Sequence, residues 1–388
     1  MRLEDICTVF TDGDWIESKD QSDSGIRLVQ TGNIGEGTYL EKEARAKYIS
    51  EETFDKLKCT EVFTGDILVS RLPEPVGRAC ILPEKTERMI TAVDCTICRP
   101  NESLISKEYL CYFMRSNAYY MRLLGNVTGT TRKRISRKNL GNVELRVPAK
   151  DEQKAVVEQL DCLVKVIDSR TKELQLLDDL IKARFVEMFG SINNNVHGFD
   201  IRTLQDVCEQ IKDGTHQTPT YTEDIEKGFK FLSSKDVTSG KIDWSKIKYI
   251  PVDLHEELYA RIKPQKGDIL LAKNGTTGVA AVVETDDVFD IYVSLALLRP
   301  IDMNSVYLWA AINSAETKHQ FDGSLKGIGV PNLHLGEIKK TKIIVPPIEL
   351  QNEFEQFAKQ VDKSKVAVQK ALDETQLLFD SLMQKYFG

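Results

Sequence analysis

Gly65–Arg71 reads GDILVSR, and Gly267–Lys273 reads GDILLAK. In both stretches a glycine and an aspartate turn the chain before a short apolar run. That is the mark of a strand diving into a core. Near-copies roughly two hundred residues apart raise the question of whether the whole chain repeats.

It does. Leu3-Glu-Asp-Ile-Cys7 matches Leu204-Gln-Asp-Val-Cys208, and Asp12-Gly13 matches Asp213-Gly214. Lys47-Tyr48-Ile49 matches Lys248-Tyr249-Ile250, and Arg99-Pro100 matches Arg299-Pro300. Val147-Pro148 and Gln153 fall against Val345-Pro346 and Gln351, and each half finishes on Phe-Gly, at Phe189-Gly190 and Phe387-Gly388. The order never breaks, so the pairs are one series rather than scattered coincidences.

Each half has two parts. The first is a β-rich lobe punctuated by Gly, Pro and Asp. The second is a long helical pattern. The spacing predicts lobes over 1–150 and 191–347 and helices over 151–190 and 348–388. Asp151 and Glu152 lie in the first turn of the first helix, where the helix dipole favours carboxylates. Its apolar stripe is Val156, Leu160, Leu163, Ile167, Leu174, Leu177, Ile181 and Met188, with interruptions at Arg170 and Arg184. The second stripe is Phe354, Phe357, Val361, Val368, Leu378 and Leu382, broken at Ser364 and Thr375. A spacing of 3.5 held for about five heptads reads as a coiled-coil seam. A helix of about 38 residues is roughly 57 Å long. A lobe of this size does not cover such a stripe alone, so the partner expected for each helix is the other. The expected fold is therefore α+β: two pseudo-symmetric lobes joined by two long antiparallel helices.

Composition bounds the function. The chain of 388 residues is 41% hydrophobic with a formal net charge of -7. Simple freestanding nucleic-acid binders are usually basic, so any nucleic-acid face has to be local. Glu4 and Asp5 stand where the apolar part of an export signal would begin, so a cytoplasmic chain is expected. The eight cysteines suit reduced thiols better than a disulfide scaffold.

The sharpest local feature is VTGTTRKRISRKN, Val127–Asn139, where Arg132, Lys133, Arg134, Arg137 and Lys138 give five cations in seven positions. Thr130 and Thr131 precede them behind Gly125 and Gly129. Guanidinium forks and small hydroxyls on a glycine-loosened loop suit phosphates and guanine edges. The corresponding stretch of the second half, Ser324–His334, keeps glycines but loses most cations, Lys326 excepted. Two further loop pairs are candidates for contact. One opens each lobe, with Asp12 and Trp15 in the first and Thr215, His216 and Gln217 in the second. The other follows the repeated strand, with Arg71 and Arg78 against Lys273, Asn274, Thr276 and Thr277. Ordinary hairpin turns explain these loops equally well at this stage.

Other motifs dissolve on inspection. Cys95-Thr-Ile-Cys98 has half a zinc spacing, but no second pair follows and the repeat puts Leu295 and Leu298 there. His255-Glu256 begins like a zinc-protease helix, but position 259 is tyrosine. Thr31–Gly37 is glycine-rich without a phosphate-binding lysine. Asp268 with Lys273 imitates a nuclease pair only superficially. No cofactor or metal is expected on this chain.

Taken together, the repeated plan, DGTHQTPTY (Asp213–Tyr221), DGDWIESKD (Asp12–Asp20), the GDIL turns and the helix starts VPAKDEQ and VPPIELQ resemble the specificity (S) subunit of type I restriction–modification systems. The resemblance covers essentially the whole chain. It implies that the lobes are target recognition domains and the helices conserved spacers. It implies a non-catalytic chain that reads a bipartite, asymmetric double-stranded DNA target. The implied partners are two methyltransferase (M) subunits, which carry S-adenosylmethionine, and restriction (R) subunits, which use Mg and ATP. The first lobe begins almost at Met1, so no longer N-terminal arm is expected. A two-headed protein adaptor and a stand-alone DNA-binding regulator remain the alternatives at this stage.

Overall fold

The computed structural model describes residues 1–129, 133–237, 240–275, 277–325 and 332–388. The chain divides into two compact units: Met1–Thr171 with Lys370–Gly388, and Lys172–Gln369. No helix among the described residues is long and apolar enough to cross a membrane.

In the first unit an antiparallel sheet runs in the order Cys7–Asp12, Cys95–Pro100, Ile67–Ser70, Ala79–Ile81. Side chains alternate across a strand, and here both faces are covered. Ile67 and Val69 join the core under the helices Lys107–Phe113 and Asn117–Leu124, while Leu68 joins Val29, Val62 and Met89 of a second sheet. The unbroken apolar run after Gly65-Asp66 follows from that double burial. In the second sheet Ile26–Val29 pairs in parallel with Met89–Thr91. The second unit repeats this plan. Its sheet order is Cys208–Asp213, Leu295–Pro300, Ile269–Ala272, Ala280–Val282, and Phe229–Leu232 runs parallel to Phe289–Ile291. Ile269 and Leu271 face one core and Leu270 and Ala272 the other.

The repeated residues turn out to be one another's partners. Gly65 and Gly267 take φ of 90° and 91°, a conformation glycine adopts without penalty. Asp66 accepts two bonds from the Arg99 guanidinium, at 2.7 and 2.8 Å, and one from the Phe63 N–H at 2.9 Å. Asp268 does the same with Arg299, both bonds at 2.8 Å, and with the Gln265 N–H at 2.8 Å. The Arg-Pro pairs recur because the GDIL turns do.

The long helices span Lys150–Phe189 and Ile348–Phe387, 40 residues each. Gln153, almost fully buried, clamps the start of the first. It accepts from the Ser106 N–H at 2.8 Å and donates to the carbonyls of Leu104 and Pro148, both at 2.9 Å. Gln351 accepts from the Asn304 N–H at 2.9 Å and donates to the Pro346 carbonyl at 2.8 Å. Each helix ends in a phenylalanine plugged against a tyrosine: Phe387 lies 5.1 Å from Tyr109 and Phe189 4.8 Å from Tyr307. Within the first unit, Val156 and Leu160 share a core with Phe379, Met383 and Phe387, and Leu163, Ile167 and Leu382 pack on it. Within the second, Ile181 and Phe189 share a core with Phe354, Ala358 and Val361, and Leu177 and Phe357 pack on it. The early half of one helix thus meets the late half of the other, which is antiparallel pairing. Leu174 is half-buried and Val368 buried.

Two details of the expected seam need correction. Leu378 is 51% exposed, and Phe379 takes the buried place beside the Tyr112 ring, 6.4 Å away, with Arg115 over its face at 5.5 Å. The true repeat runs through positions 354, 361, 368, 375 and 382 and through 358, 365, 372, 379 and 386. The polar breaks also differ. Ser364 is exposed, and the half-buried Lys365 sits in the seam instead, ion-paired with Asp178. Thr375, Arg170 and Arg184 are half-buried polar residues at seam positions, as expected of interruptions. Arg184 is accommodated by laying its guanidinium over the Phe357 ring at 5.8 Å and pairing with Glu187 at 3.0 Å.

Phe379→Ala is expected to cost about 3–5 kcal/mol, the usual price of emptying a buried phenylalanine site. Leu378→Ala is expected to stay within about 0.5 kcal/mol. Chemical denaturation of the two variants beside the parent checks the register, and the reverse ranking would restore Leu378 to the seam.

Candidate nucleic-acid interface

In each lobe two loops meet over one carboxylate, and described residues of a third are tied to the second of them. The first follows Cys7–Asp12 or Cys208–Asp213. Its glycine is obligatory, because a Cβ on Gly13 would lie 2.2 Å from the Thr91 carbonyl oxygen and one on Gly214 2.1 Å from that of Ile291. This close approach brings Asp12 and Asp213 to the base of the second loop, which leaves the repeated strand at Arg71 or Lys273.

In the first lobe, Asp12 lies 3.4 Å from Arg71 Nε and 3.7 Å from Arg137 Nη1, and accepts from Thr96 Oγ1 at 3.1 Å. Arg71 is almost wholly buried and also donates to the Val93 carbonyl. Burial pulls its pKa below the usual guanidinium value, with Asp12 opposing the shift. Arg78 is buried too. It donates to the carbonyls of Ile34 at 2.6 Å, Leu72 at 2.8 Å, Pro75 at 3.2 Å and Thr31 at 2.8 Å. It therefore ties the second loop to the glycine-rich Thr31–Gly37 turn. The third loop is held by the Ile135 N–H, which donates to the Arg71 carbonyl at 3.2 Å, and by Arg134, 3.0 Å from Asp94. Lys133 and Lys138 are exposed, and the side chains of Arg134 and Arg137 are 45% and 47% exposed.

In the second lobe Asp213 pairs with Lys273 at 2.7 Å, with Arg261 at 3.7 Å and with His216 at 3.5 Å. Burial pushes the Asp213 pKa up, but the Lys273 hydrogen bond and charge outweigh it, and the net shift is downward. Lys273 is buried. Thr215 is buried as well, bonded through its backbone to Ile291 and Val293. His216 is exposed, and the exposed Gln217 donates to Glu257 at 3.3 Å. Thr277 is half-buried. Trp15, in the first lobe, is 70% exposed.

The sequence-expected residues thus fall into two groups. Arg71, Arg78, Lys273 and Thr215 are turned inward and hold the loops. Lys133, Arg134, Arg137, Lys138, Trp15, His216 and Gln217 face outward. Thr130, Thr131, Arg132, Thr276 and Lys326 lie outside the described residues. Asp213, Arg261 and Asp94 escaped the sequence reading. The repeat signalled Asp213 through Asp12. Nothing in the sequence signalled Arg261, which reaches the site from the helix Val252–Arg261.

Cys95 and Cys98 belong to different cores, on opposite faces of one strand, which a shared metal ion would not permit. Among the described residues no cluster of three His, Cys, Asp or Glu side chains could hold a metal. His255 is a core residue, with Nδ1 2.7 Å from Asp290 and its ring stacked on Phe229 at 3.5 Å.

Comparison with known proteins gives a consistent result. The family described as type I restriction modification DNA specificity domain matches twice, over residues 1–178 and 197–375. The type I restriction enzyme EcoBI specificity subunit of Escherichia coli is 24% identical over 301 residues, covering 69% of this chain and 63% of that protein. The MjaVIII specificity subunit of Methanocaldococcus jannaschii is 22% identical over 273 residues, 66% of this chain and 63% of that protein. The match therefore spans a little under two thirds of either relative. Two solved structures share the fold. One is a chain from work on complex assembly and conformational transition of the type I R-M system, with a TM-score of 0.60 and 17% identity, covering 100% of this chain and 96% of that one. The other is the type I restriction–modification S subunit from M. genitalium, with a TM-score of 0.55 and 14% identity, covering 100% and 95%. With the family matched over both halves, the chain belongs to the type I restriction modification DNA specificity domain family.

Proposed function

We propose that the chain is the DNA-reading subunit of a type I restriction–modification complex, and that each lobe reads one half of a bipartite, asymmetric target. The observation that carries this reading is the twice-built loop junction, anchored from below by a buried ion pair and dressed with different outward side chains in the two lobes. Preorganised loops on a rigid sheet are how a scaffold offers specificity. Exposed Lys133, Arg137 and Lys138 supply phosphate grip in the first lobe, with Trp15 at its opening loop. His216 and Gln217 face outward from the second, whose cations are fewer. Arg71, Arg78 and Lys273 act indirectly, by fixing the loops. In this reading the lobes are the target recognition domains and the long helices the spacers that set the gap between half-sites.

The chain's own role is non-catalytic. Methyl transfer belongs to two methyltransferase subunits carrying S-adenosylmethionine, and cleavage to restriction subunits using Mg and ATP. Exposed apolar side chains along the long helices, Leu176, Leu180 and Val186 among them, suit the docking of such partners. An acidic chain that contacts DNA only locally fits a complex whose other subunits wrap most of the duplex.

Lys133→Ala and Lys138→Ala are each expected to weaken binding of the assembled complex to all sequences alike. Each should lower the slope of log affinity against log salt by about one. Salt titrations on target and scrambled duplexes check this, and a loss confined to the target would assign these lysines to base reading instead. Inserting seven residues in register into both long helices is expected to lengthen them by about 10 Å. At 3.4 Å per base pair, that widens the gap by about three base pairs. Methylation mapping gives the answer directly, and an unchanged gap would refute the spacer role.

A further inference from the structure

One backbone hydrogen bond fixes an equivalence between the lobes that sequence spacing does not. In the first lobe the Ile135 N–H donates to the Arg71 carbonyl at 3.2 Å, and in the second the Leu333 N–H donates to the Lys273 carbonyl at 2.9 Å. Position 134 therefore corresponds to 332, and 72 to 274. At these two places the first lobe holds Arg134, 45% exposed, and Leu72, buried. The second holds two asparagines, Asn332 and Asn274.

The asparagines face each other across an isolated antiparallel bridge, one residue after Lys273 and one before Leu333. Both residues are half-buried, yet the Oδ1 atom of each is shielded from solvent and, among the described residues, has no hydrogen-bond donor. Buried acceptors are nearly always satisfied, and an unsatisfied one calls for a reason. Here the backbone behind the pair is firmly held. Lys273 is ion-paired to Asp213, and its carbonyl accepts the Leu333 bond. Two half-buried carboxamides with idle acceptors, on an anchored base, gain a partner by turning toward a donor from outside.

The chemistry of base edges distinguishes the two lobes. A guanidinium fork matches the O6 and N7 of guanine, and a carboxamide matches the N6 amino group and N7 of adenine. We propose that Asn332, with Asn274 beside it, is the specificity-determining contact of the second lobe and reads an adenine in the major groove. Its counterpart in the first lobe, Arg134, is paired with Asp94. The Oδ1 of Asn332 accepts from the adenine N6 amino group and its Nδ2 donates to N7. This inference rests on the DNA-reading function proposed above.

The test uses the complex of this chain with its methyltransferase subunits and the target identified by methylation mapping. Each adenine of the target is replaced in turn by purine, which lacks the N6 amino group, and by 7-deazaadenine, which lacks N7. At one adenine both replacements are expected to weaken binding by about 5- to 100-fold. In Asn332→Ala that penalty should vanish, so that the two changes are not additive. Sensitivity of the adenine that accepts the methyl group should persist in the variant. If no adenine is sensitive to both replacements in the unaltered complex, the inference fails without recourse to any variant. If every penalty survives in both Asn332→Ala and the milder Asn332→Ser, it fails equally. A complex with no sequence preference at all would remove the DNA-reading function itself, which is a separate outcome.

Discussion

The buried ion pair at the start of the central strand is the constraint on which each lobe depends. Asp66 and Asp268 are nearly inaccessible to water, and a lone carboxylate there would be prohibitive. Arg99 and Arg299 neutralise them through two parallel bonds each. Breaking a fully buried pair costs about 3–5 kcal/mol, and less where one partner keeps some solvent, as both arginines do here. Because the aspartate also caps the turn that feeds the strand, the pair sets where that strand begins. From there the strand has no freedom. Both of its faces are covered, so a slip of one residue would trade every side chain between two cores. The loop leaving its far end therefore starts from a fixed point in each lobe.

What is built on that point differs between the lobes. Asp12 gathers Arg71 and Arg137, the second of which comes from the basic third loop. Asp213 gathers Lys273 and Arg261, and Arg261 comes from a helix instead. One carboxylate does the same work with cations recruited from different parts of the chain.

The sequence made the plan legible because the plan is repeated. GDIL, Arg-Pro, the buried glutamine and the terminal Phe-Gly each occur twice, and each marks a contact that the fold needs twice. The helical seam was legible as a seven-residue pattern, though its phase near residue 378 was not. Leu377, Leu378 and Phe379 are three apolar residues in a row, and packing against residues distant in sequence, Tyr112 and Arg115 among them, marks out the third. The inward cations were the harder case. Arg78 sits among turn residues in a polar loop, where a cation looks like a surface group. Its partners are backbone carbonyls of Thr31, Ile34, Leu72 and Pro75, and carbonyls leave no trace in a sequence. Arg261 was invisible for a related reason, since its target lies 48 residues upstream with no pattern linking the two.

The glutamine clamps have a consequence for how such a chain can vary. Gln153 and Gln351 bond almost entirely to main-chain atoms, which every amino acid provides. The joint between lobe and helix is thus largely indifferent to which side chains surround it. Substitution can remake the outer loops through many generations while the attachment stays mechanically constant. A new preference can then arise by drift at the tips alone, without a compensating change in the struts that carry them.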